Sequence, residues 1–196
     1  LRINSDGTLK FGDWRIFETS LKEVSDSFNQ AGIDFVEDIM AKASAAKAGG
    51  KEGKIKIVDW GCGNARALME LDKTLKEKGL RDAVELIGFA DMIAPEWKEA
   101  SKLGIRLILD PSDNFSKHFE AGSIDILFSY SALHHLANQA SYEPYTNYLK
   151  SLRPLLSPEG YLIHNRFGNR IAGPNYSVDD KKAIQDNLSK NYRVET

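Results

Sequence analysis

Apolar positions along the chain follow two spacings, and these divide most of the sequence into predicted strands and helices. Five short runs rich in Val, Ile, Leu and Phe have the composition of buried strands, and they span residues 55–59, 84–90, 106–109, 124–130 and 161–164. Between them, apolar residues three and four apart predict helices. Because strands alternate with helices, we predict an α/β fold, in which a mostly parallel, doubly wound sheet with right-handed crossovers lies between two helical layers.

The first fifty residues have a different pattern. A turn signal at residues 5–7 predicts a hairpin that runs to Phe17. Ser20 and Glu23 then have the spacing of a capping box, and a second apolar stripe begins near Asp34. These features predict two helices, or one bent helix, that form either a packing layer on the sheet or a lid over a site.

A glycine-rich segment, residues 48–53, predicts a linker between two parts of the chain. We therefore assign residues 1–50 to an N-terminal hairpin and helical cap, and residues 51–196 to the α/β domain. Near the end of the chain, Ser177 is predicted to begin a last helix, and Tyr192-Arg193-Val194 is predicted to begin a sixth strand. The chain opens without a methionine, which favours a trimmed N-terminus.

The composition argues against several classes of protein. With 196 residues, 42% of them hydrophobic, the chain can bury a sizeable core. A net charge of −2 provides no overall basic field, so we expect neither a nucleic-acid nor a membrane partner. The single cysteine excludes an intrachain disulfide and a cysteine-built zinc site, and no metal is expected. Since the sequence also has no signal peptide and no apolar run of ~20 residues, we expect a cytoplasmic protein.

Candidate binding chemistry lies at the ends of three predicted strands, where Asp59, Asp91 and Asp110 follow the apolar runs. In sheets of this kind, a ligand sits beyond the carboxyl ends of the strands, near the point where strand order reverses. A carboxylate there can accept two hydrogen bonds from ribose hydroxyl groups. Any one of these acids could be a solvated loop residue, but three at successive strand ends favour a ligand site.

The loop after the first of these strands indicates which ligand fits. Gly61 and Gly63 are spaced to let the main chain turn sharply and approach a ligand closely. A dinucleotide-binding loop needs a third small residue where this chain has Arg66, and the Gly-Lys-Ser/Thr of a phosphate-binding P-loop is also absent from the sequence. The loop therefore favours a nucleoside ligand that lacks a pyrophosphate.

Three segments in a fixed order carry a resemblance to a known family. They are the glycine loop Val58-Asp59-Trp60-Gly61-Cys62-Gly63-Asn64-Ala65, the fourth-strand segment Ser123–Leu136, which ends in Ala132-Leu133-His134-His135-Leu136, and the helix, turn and strand of Leu149–Ile163. In these segments the chain resembles class I, Rossmann-like methyltransferases that depend on S-adenosylmethionine. The similarity runs from about Lys54 to Phe167, and it implies a three-layer αβα sandwich.

The resemblance implies roles for individual residues in holding S-adenosylmethionine. Asp91 would hold the ribose hydroxyl groups, Met92 would lie along the adenine, and Asp110 would meet the adenine amino group. The glycine loop would hold the amino-acid end of the cofactor, flanked by Ser129 and Tyr130. The complete implied cofactor site is Asp59, Gly61, Cys62, Gly63, Asp91, Met92, Asp110, Pro111, Ser129 and Tyr130.

Two features depart from the family pattern. The family places its ribose-binding acid two residues after the glycine of the second strand, where this chain has Ala90, and Asp91 comes one residue later. Either a bulge shifts the register or the role is unfilled. The chain also stops at Thr196, inside the expected sixth strand, so we expect the family's final strand hairpin to be truncated.

The reaction that the resemblance implies is methyl transfer to a small-molecule acceptor by in-line displacement. The Asn/Asp-Pro-Pro-Tyr/Phe motif of relatives that methylate amide or base amino groups is absent after the fourth strand. His134 is the candidate catalytic base, although packing of the following helix is the commoner role for it and for His135. Tyr142, Tyr145 and Tyr148 could line an acceptor pocket or the core. The alternative function is a cofactor-binding scaffold without catalytic activity.

Overall fold

The structure is a computed structural model of the chain, and it describes residues 2–3, 9–10, 18–29, 32–49, 53–133 and 142–164. Residues 2–3, 9–10 and 142–146 are described in their backbone only. The strands of this part are β1 (Arg2–Ile3), β2 (Leu9–Lys10), β3 (Ile55–Trp60), β4 (Val84–Ala90), β5 (Arg106–Leu109), β6 (Ile124–Ser129) and β7 (Leu156–His164). Its α-helices are α1 (Leu21–Asn29), α2 (Phe35–Gly49), α3 (Arg66–Glu77), α4 (Trp97–Lys102) and α5 (Tyr142–Leu152). Short 3-10 helices cover Arg81–Ala83, Ser112–His118 and Arg153–Leu155.

Five parallel strands form the central sheet, in the order β5-β4-β3-β6-β7. The first of these strands in sequence, β3, lies at the centre. The chain adds β4 and β5 on one side and then crosses back to add β6 and β7 on the other. Strand order therefore reverses between β3 and β6, which is where doubly wound sheets bind their ligands. The predicted α/β fold with a mostly parallel sheet is confirmed.

Helices cover both faces of the sheet because adjacent apolar residues of each strand point to opposite sides. On one face, Ile57 and Phe128 belong to a buried cluster that also contains residues of α1, α2, α3 and α4. On the other face, Val58 and Leu127 belong to a second cluster with residues of α5 and of the 3-10 helix Ser112–His118. This is the predicted three-layer sandwich.

The N-terminal segment forms two separate helices, each with the predicted start. The Ser20 N–H donates to a Glu23 carboxylate oxygen at 2.7 Å, and the Glu23 N–H donates to Ser20 Oγ at 3.2 Å, which is a capping box. The Asp34 carboxylate caps α2. Phe35 of α2 packs edge-on against Phe128 of β6, with ring centroids 5.1 Å apart. The helices therefore form a packing layer on the sheet.

The predicted hairpin before these helices is present as a short antiparallel pair, in which β1 pairs with β2. Its turn lies outside the described residues, as do the predicted helix that begins at Ser177, the predicted sixth strand and the final hairpin. Within the part of the chain that the structure describes, no helix combines the length and the apolar character needed to span a bilayer.

The start of the last strand differs from the prediction. The sequence predicts a turn over residues 157–160 and a strand from Tyr161, whereas β7 already begins at Leu156. Ile124 of β6 pairs with Leu156, and Ile126 pairs with Tyr161, so the residues between them bulge out of the sheet. The Pro-Glu-Gly sequence is thus a bulge within a strand, because pairing with β6 resumes on both sides of it.

Candidate functional site

The residues of the implied cofactor site lie on four neighbouring strands, β5, β4, β3 and β6, or directly after them. Because these strands are parallel, their carboxyl ends meet at one edge of the sheet. Asp59 is in β3 and Gly61, Cys62 and Gly63 follow it, Asp91 and Met92 follow β4, Asp110 and Pro111 follow β5, and Ser129 and Tyr130 lie at the end of β6. The fold thus brings the ten residues to a common edge, while the role of each stays a prediction.

The loop after β3 turns through left-handed backbone conformations. Gly61, Gly63 and Ala65 have φ angles of +82°, +52° and +62°. Glycine adopts such angles readily, whereas alanine is disfavoured there by ~1–2 kcal/mol. The N–H groups of Gly61 and Cys62 both donate to the Phe89 carbonyl of β4, at 2.7 and 3.1 Å. The two glycines therefore occupy the turn as predicted, and the left-handed Ala65 is a feature that the sequence does not signal.

Gly61 also contacts the segment that follows β6. A methyl group added to Gly61 would lie 2.2 Å from Cβ of Ala132, a distance that real Cβ contacts do not show. Ser131, before Ala132, has a φ of +53°, and Ser129 Oγ accepts a hydrogen bond from the Leu133 N–H at 3.2 Å. The loops on the two sides of the strand-order reversal therefore touch. Close packing between them is a second reason for glycine at this position, beyond the predicted approach to a cofactor.

Asp59 is a buried acid that has no partner within the part of the chain that the structure describes. It is 5% exposed, and it accepts no hydrogen bond and forms no ion pair among the residues that the structure describes. Removal from water disfavours its charged form, so burial raises the pKa of Asp59 to about 8. Buried polar groups in native proteins are nearly always hydrogen-bonded. Asp59 lies beside the strand-order reversal and has no partner among the described residues. Its carboxyl group is therefore suited to bind a cationic group of a ligand.

Cys62 has the character of a space-filling residue. Its side chain is buried, and burial raises the pKa of the Cys62 thiol well above its ordinary value. A Cβ added to Gly88 of β4 would lie 2.8 Å from Cys62 Sγ. Gly88 therefore leaves space for the loop. Glycine inside a strand often marks a site where another segment approaches closely. A neutral, buried thiol packs here and does not provide a nucleophile.

Asp110 already has two partners within its own chain. Its carboxylate accepts a hydrogen bond from Asn114 Nδ2 at 2.9 Å and pairs with His118 Nε2 at 2.7 Å. Burial acts to raise the pKa of Asp110, but these hydrogen bonds outweigh it and lower the pKa below its ordinary value. Asp110 thus stays ionised and fixed in direction. The Asp110 carboxylate can still accept a hydrogen bond from a ligand, because a carboxylate can accept more than two hydrogen bonds.

The other residues of the predicted site differ in exposure. Asp91 and Met92 are partly buried after β4, and Tyr130 is partly buried after β6. Ser129 is fully buried, and its hydroxyl oxygen accepts a hydrogen bond from the Leu133 N–H. This hydrogen bond stabilises the turn after β6. His134, the predicted catalytic base, lies outside the described residues.

Two residues that sequence reasoning did not single out support this edge. Trp97 of α4 donates from Nε1 to the carbonyl of Gly63 at 2.8 Å, which fixes the glycine loop to α4. His118 holds Asp110, although it is eight residues away in sequence. The spacing of residues along the chain predicts neither contact, because both depend on how the segments that connect the strands pack. Within the described residues, no group of three or more His, Cys, Asp or Glu side chains is placed to hold a metal ion.

Several solved protein structures are similar to this chain. No protein-family model matches the chain, and neither does any curated protein sequence. Among solved structures, the chain is similar to the DszA carbon methyltransferase, with a TM-score of 0.50 and 17% identity over 72% of this chain and 35% of that one. It is similar to WbdD, crystallised with the kinase inhibitor LY294002, with a TM-score of 0.51 and 15% identity over 76% of this chain and 33% of that one. A SAM-dependent methyltransferase from Aquifex aeolicus matches with a TM-score of 0.44 and 18% identity, over 87% of this chain and 85% of that one.

The chain spans about a third of the length of the first two of these proteins. At identities below 20%, the similarity concerns the fold. The chain therefore has the class I, Rossmann-like fold of the S-adenosylmethionine-dependent methyltransferases.

Proposed function

We propose that this protein binds S-adenosylmethionine at the carboxyl edge of β3, β4, β5 and β6, and transfers its methyl group to a small-molecule acceptor. The observation that carries the proposal is Asp59, a carboxyl group that is 5% exposed and has no partner among the described residues. A ligand that brings a positive charge to this point would supply the missing partner. S-adenosylmethionine carries an ammonium and a sulfonium group and has no pyrophosphate, which agrees with the glycine loop.

The residues of this edge suit the other parts of such a ligand. Asp91 lies after β4, where its carboxylate could accept hydrogen bonds from both ribose hydroxyl groups. Asp110, fixed by Asn114 and His118, could accept a hydrogen bond from the adenine amino group. These assignments come from the family resemblance, and the ionised, oriented state of Asp110 supports the second of them.

The chemistry needs little from the protein beyond alignment. When bound, S-adenosylmethionine supplies a methyl group that is already activated for in-line displacement. The chain would then act by holding cofactor and acceptor in line, an effect worth up to ~7–11 kcal/mol of the barrier. The fixed loops around Gly61 and Ala132 would provide this rigidity. His134 is proposed as a general base for acceptors that must lose a proton.

A binding experiment tests the proposal at its first step. We expect isothermal titration calorimetry to give dissociation constants between submicromolar and tens of micromolar for S-adenosylmethionine and S-adenosylhomocysteine. Asp91→Ala should weaken binding by at least about 10-fold, because a charge-assisted hydrogen bond is lost. The matched control is Asp113→Ala, since Asp113 is an exposed acid near the same edge. No binding at millimolar ligand would refute the proposal, and unchanged affinity in Asp91→Ala would show that another group holds the ribose.

A turnover experiment separates the enzyme from the cofactor-binding scaffold. Purified protein with S-adenosylmethionine should form S-adenosylhomocysteine when offered a panel of small amines, alcohols, thiols and carboxylic acids. Product formation that depends on one acceptor class, and that falls in Asp91→Ala, supports the enzyme. Tight cofactor binding without turnover on any acceptor would favour the scaffold.

A further inference from the structure

Asp59 must change its charge state if it is to pair with a cation. It is 5% exposed, and its register partners in the neighbouring strands are Gly88 of β4 and Phe128 of β6. Neither partner has a polar side chain, and no described residue donates a hydrogen bond to the Asp59 carboxyl group. An isolated carboxylate in such surroundings would be strongly disfavoured relative to the neutral acid. A carboxyl group in this state cannot attract a cation before it loses its proton.

We propose that Asp59 is an uncharged carboxylic acid in the free protein, and that it loses its proton to the solvent when a cationic ligand group binds beside it. The O–H bond of the acid breaks, its electron pair stays on the carboxylate, and the proton passes to the buffer. The positive charge of the ligand then compensates the new negative charge. This inference rests on the proposed function, because it takes the binding site from it.

The surroundings of Asp59 support a neutral acid. Burial is the cause that raises the pKa of Asp59 to about 8, and the thiol of Cys62, in the adjoining loop, is itself neutral. Several charged groups on the helices packed against this face have partners other than Asp59. Those pairings are Glu23 with Ser20 on α1, Asp38 with Tyr161 on α2, Arg66 with Glu70 on α3 and Lys102 with Glu99 on α4. Within the described residues, the titratable side chains at the ends of the other strands are Asp91 after β4, Asp110 after β5, Tyr130 after β6 and His164 at the end of β7.

The proposal has a quantitative consequence for affinity. Only the ionised form of Asp59 accepts the cation, so affinity follows the ionised fraction of the free protein. For an acid with a pKa of about 8, that fraction is roughly 1% at pH 6 and roughly 10% at pH 7. Affinity for the ligand should therefore rise about 10-fold between these two pH values.

Calorimetry with S-adenosylhomocysteine tests this coupling against a matched variant. Asp59→Asn copies the size and the neutral charge of the protonated acid. We expect the wild-type dissociation constant to fall about 10-fold from pH 6 to pH 7, while that of the variant changes less than 2-fold. Other titrating groups, including the histidines and the ligand's amino group, are common to both proteins, so the difference between the two reports Asp59. In buffers of different ionisation enthalpy at pH 7, the wild type should release close to one proton more than the variant.

A second measurement examines the free protein directly. Carboxyl ¹³C NMR, with the Asp59 signal assigned from its loss in Asp59→Asn, should show an acid that remains protonated at pH 6. Ionisation of Asp59 below pH 6 would overturn the proposal, and so would equal pH dependence of binding in the two proteins. Those results would leave the proposed function intact. Failure of the wild type to bind S-adenosylhomocysteine at any pH would overturn both.

Discussion

At the scale of single residues, Asp59 and Gly61 each meet two demands, one from the fold and one from the proposed ligand. Asp59 is buried and has no partner among the described residues, a state that destabilises the free protein but suits a site for a cation. Gly61 needs its left-handed backbone for the turn and its missing side chain for Ala132. Asp59 therefore has unmet polarity within the described residues, beside the strand-order reversal, whereas Gly61 meets both demands without strain because glycine adopts left-handed angles readily.

Replacing Asp59 should make the free protein more stable in a pH-dependent way. Its pKa is about 8 in the folded state against 3.8 as an ordinary acid, so the unfolded chain releases the proton first. Folded wild type should therefore lose stability as the pH rises from about 4 to 8, by up to about 6 kcal/mol. Asp59→Asn lacks this loss, so urea unfolding should show the variant to be the more stable protein at pH 8, with a smaller difference at pH 5.

Asp125→Asn is the control for this comparison. The Asp125 carboxylate accepts hydrogen bonds from the Lys56 N–H at 2.8 Å and from Ser157 Oγ at 3.0 Å, so it is a satisfied structural acid. We expect its replacement to destabilise the protein at both pH values. A wild type whose stability does not fall between pH 5 and pH 8 relative to Asp59→Asn would contradict the assigned state of Asp59.

Gly61→Ala should destabilise the protein through two separable effects. The left-handed backbone accounts for ~1–2 kcal/mol, and the contact with Ala132 should add a similar or larger amount, so we expect a total of about 2–4 kcal/mol in urea unfolding. Gly122→Ala isolates the first effect, because Gly122 has a φ of +69° and nothing within 4 Å of an added Cβ. The double variant Gly61→Ala/Ala132→Gly should regain the stability that is lost through the contact with Ala132. If Gly61→Ala and Gly122→Ala lose the same free energy of unfolding, the contact with Ala132 does not affect stability.

At the scale of elements, a carboxylate of α3 holds the start of α1, in addition to the apolar packing that the two helices share. Glu70 of α3 accepts the Leu21 N–H, at the start of α1, at 2.7 Å, and its other oxygen accepts from Arg66 Nε at 2.9 Å. The first N–H groups of a helix have no partner within the helix, and here one of them is satisfied by a residue 49 positions away. The start of α1 is thus coupled to the helix that follows the glycine loop.

Glu70→Ala should therefore loosen α1 specifically. We expect the free energy of unfolding to fall by about 1–2 kcal/mol, the usual effect of losing a helix cap, and the Leu21 amide to exchange with solvent faster. Glu77→Ala on the same helix is the control, because Glu77 lies 4.0 Å from Lys73 in an exposed pair worth little. If both variants lose the same stability, α1 does not depend on Glu70.

At the scale of the whole molecule, the sheet brings residues from four strands and their loops into one site, so ligand binding should stabilise the complete α/β core. A ligand at 100 times its dissociation constant adds about 2.7 kcal/mol, which corresponds to a rise in Tm of roughly 5–10 °C for a chain of this size. Differential scanning fluorimetry with S-adenosylhomocysteine should show this rise, with adenosine at equal concentration giving a smaller one. No shift at millimolar S-adenosylhomocysteine would argue against the site.

Much of this architecture could be predicted from the sequence, because local patterns determine it. The β4 and β5 boundaries follow directly from apolar runs, and the capping box of α1 follows from Ser20 and Glu23. The acids and glycines of the edge could be named because strand ends and turns have their own residue preferences. The strand that begins early at Leu156 could not, since only pairing with β6 keeps a Pro-Glu-Gly segment within a strand.

What the sequence by itself determined is therefore the order of strands and helices, the glycine turn and the row of acids at the strand ends, since each depends on residues close together in the chain. Tertiary structure alone decided the state of each acid. Asp59 was largely removed from water and has no partner among the described residues, whereas Asp110 is paired with Asn114 and His118. It also decided that Gly61 meets Ala132. The physical reason is that desolvation and long-range contact depend on which elements pack together, and no spacing along the chain encodes that.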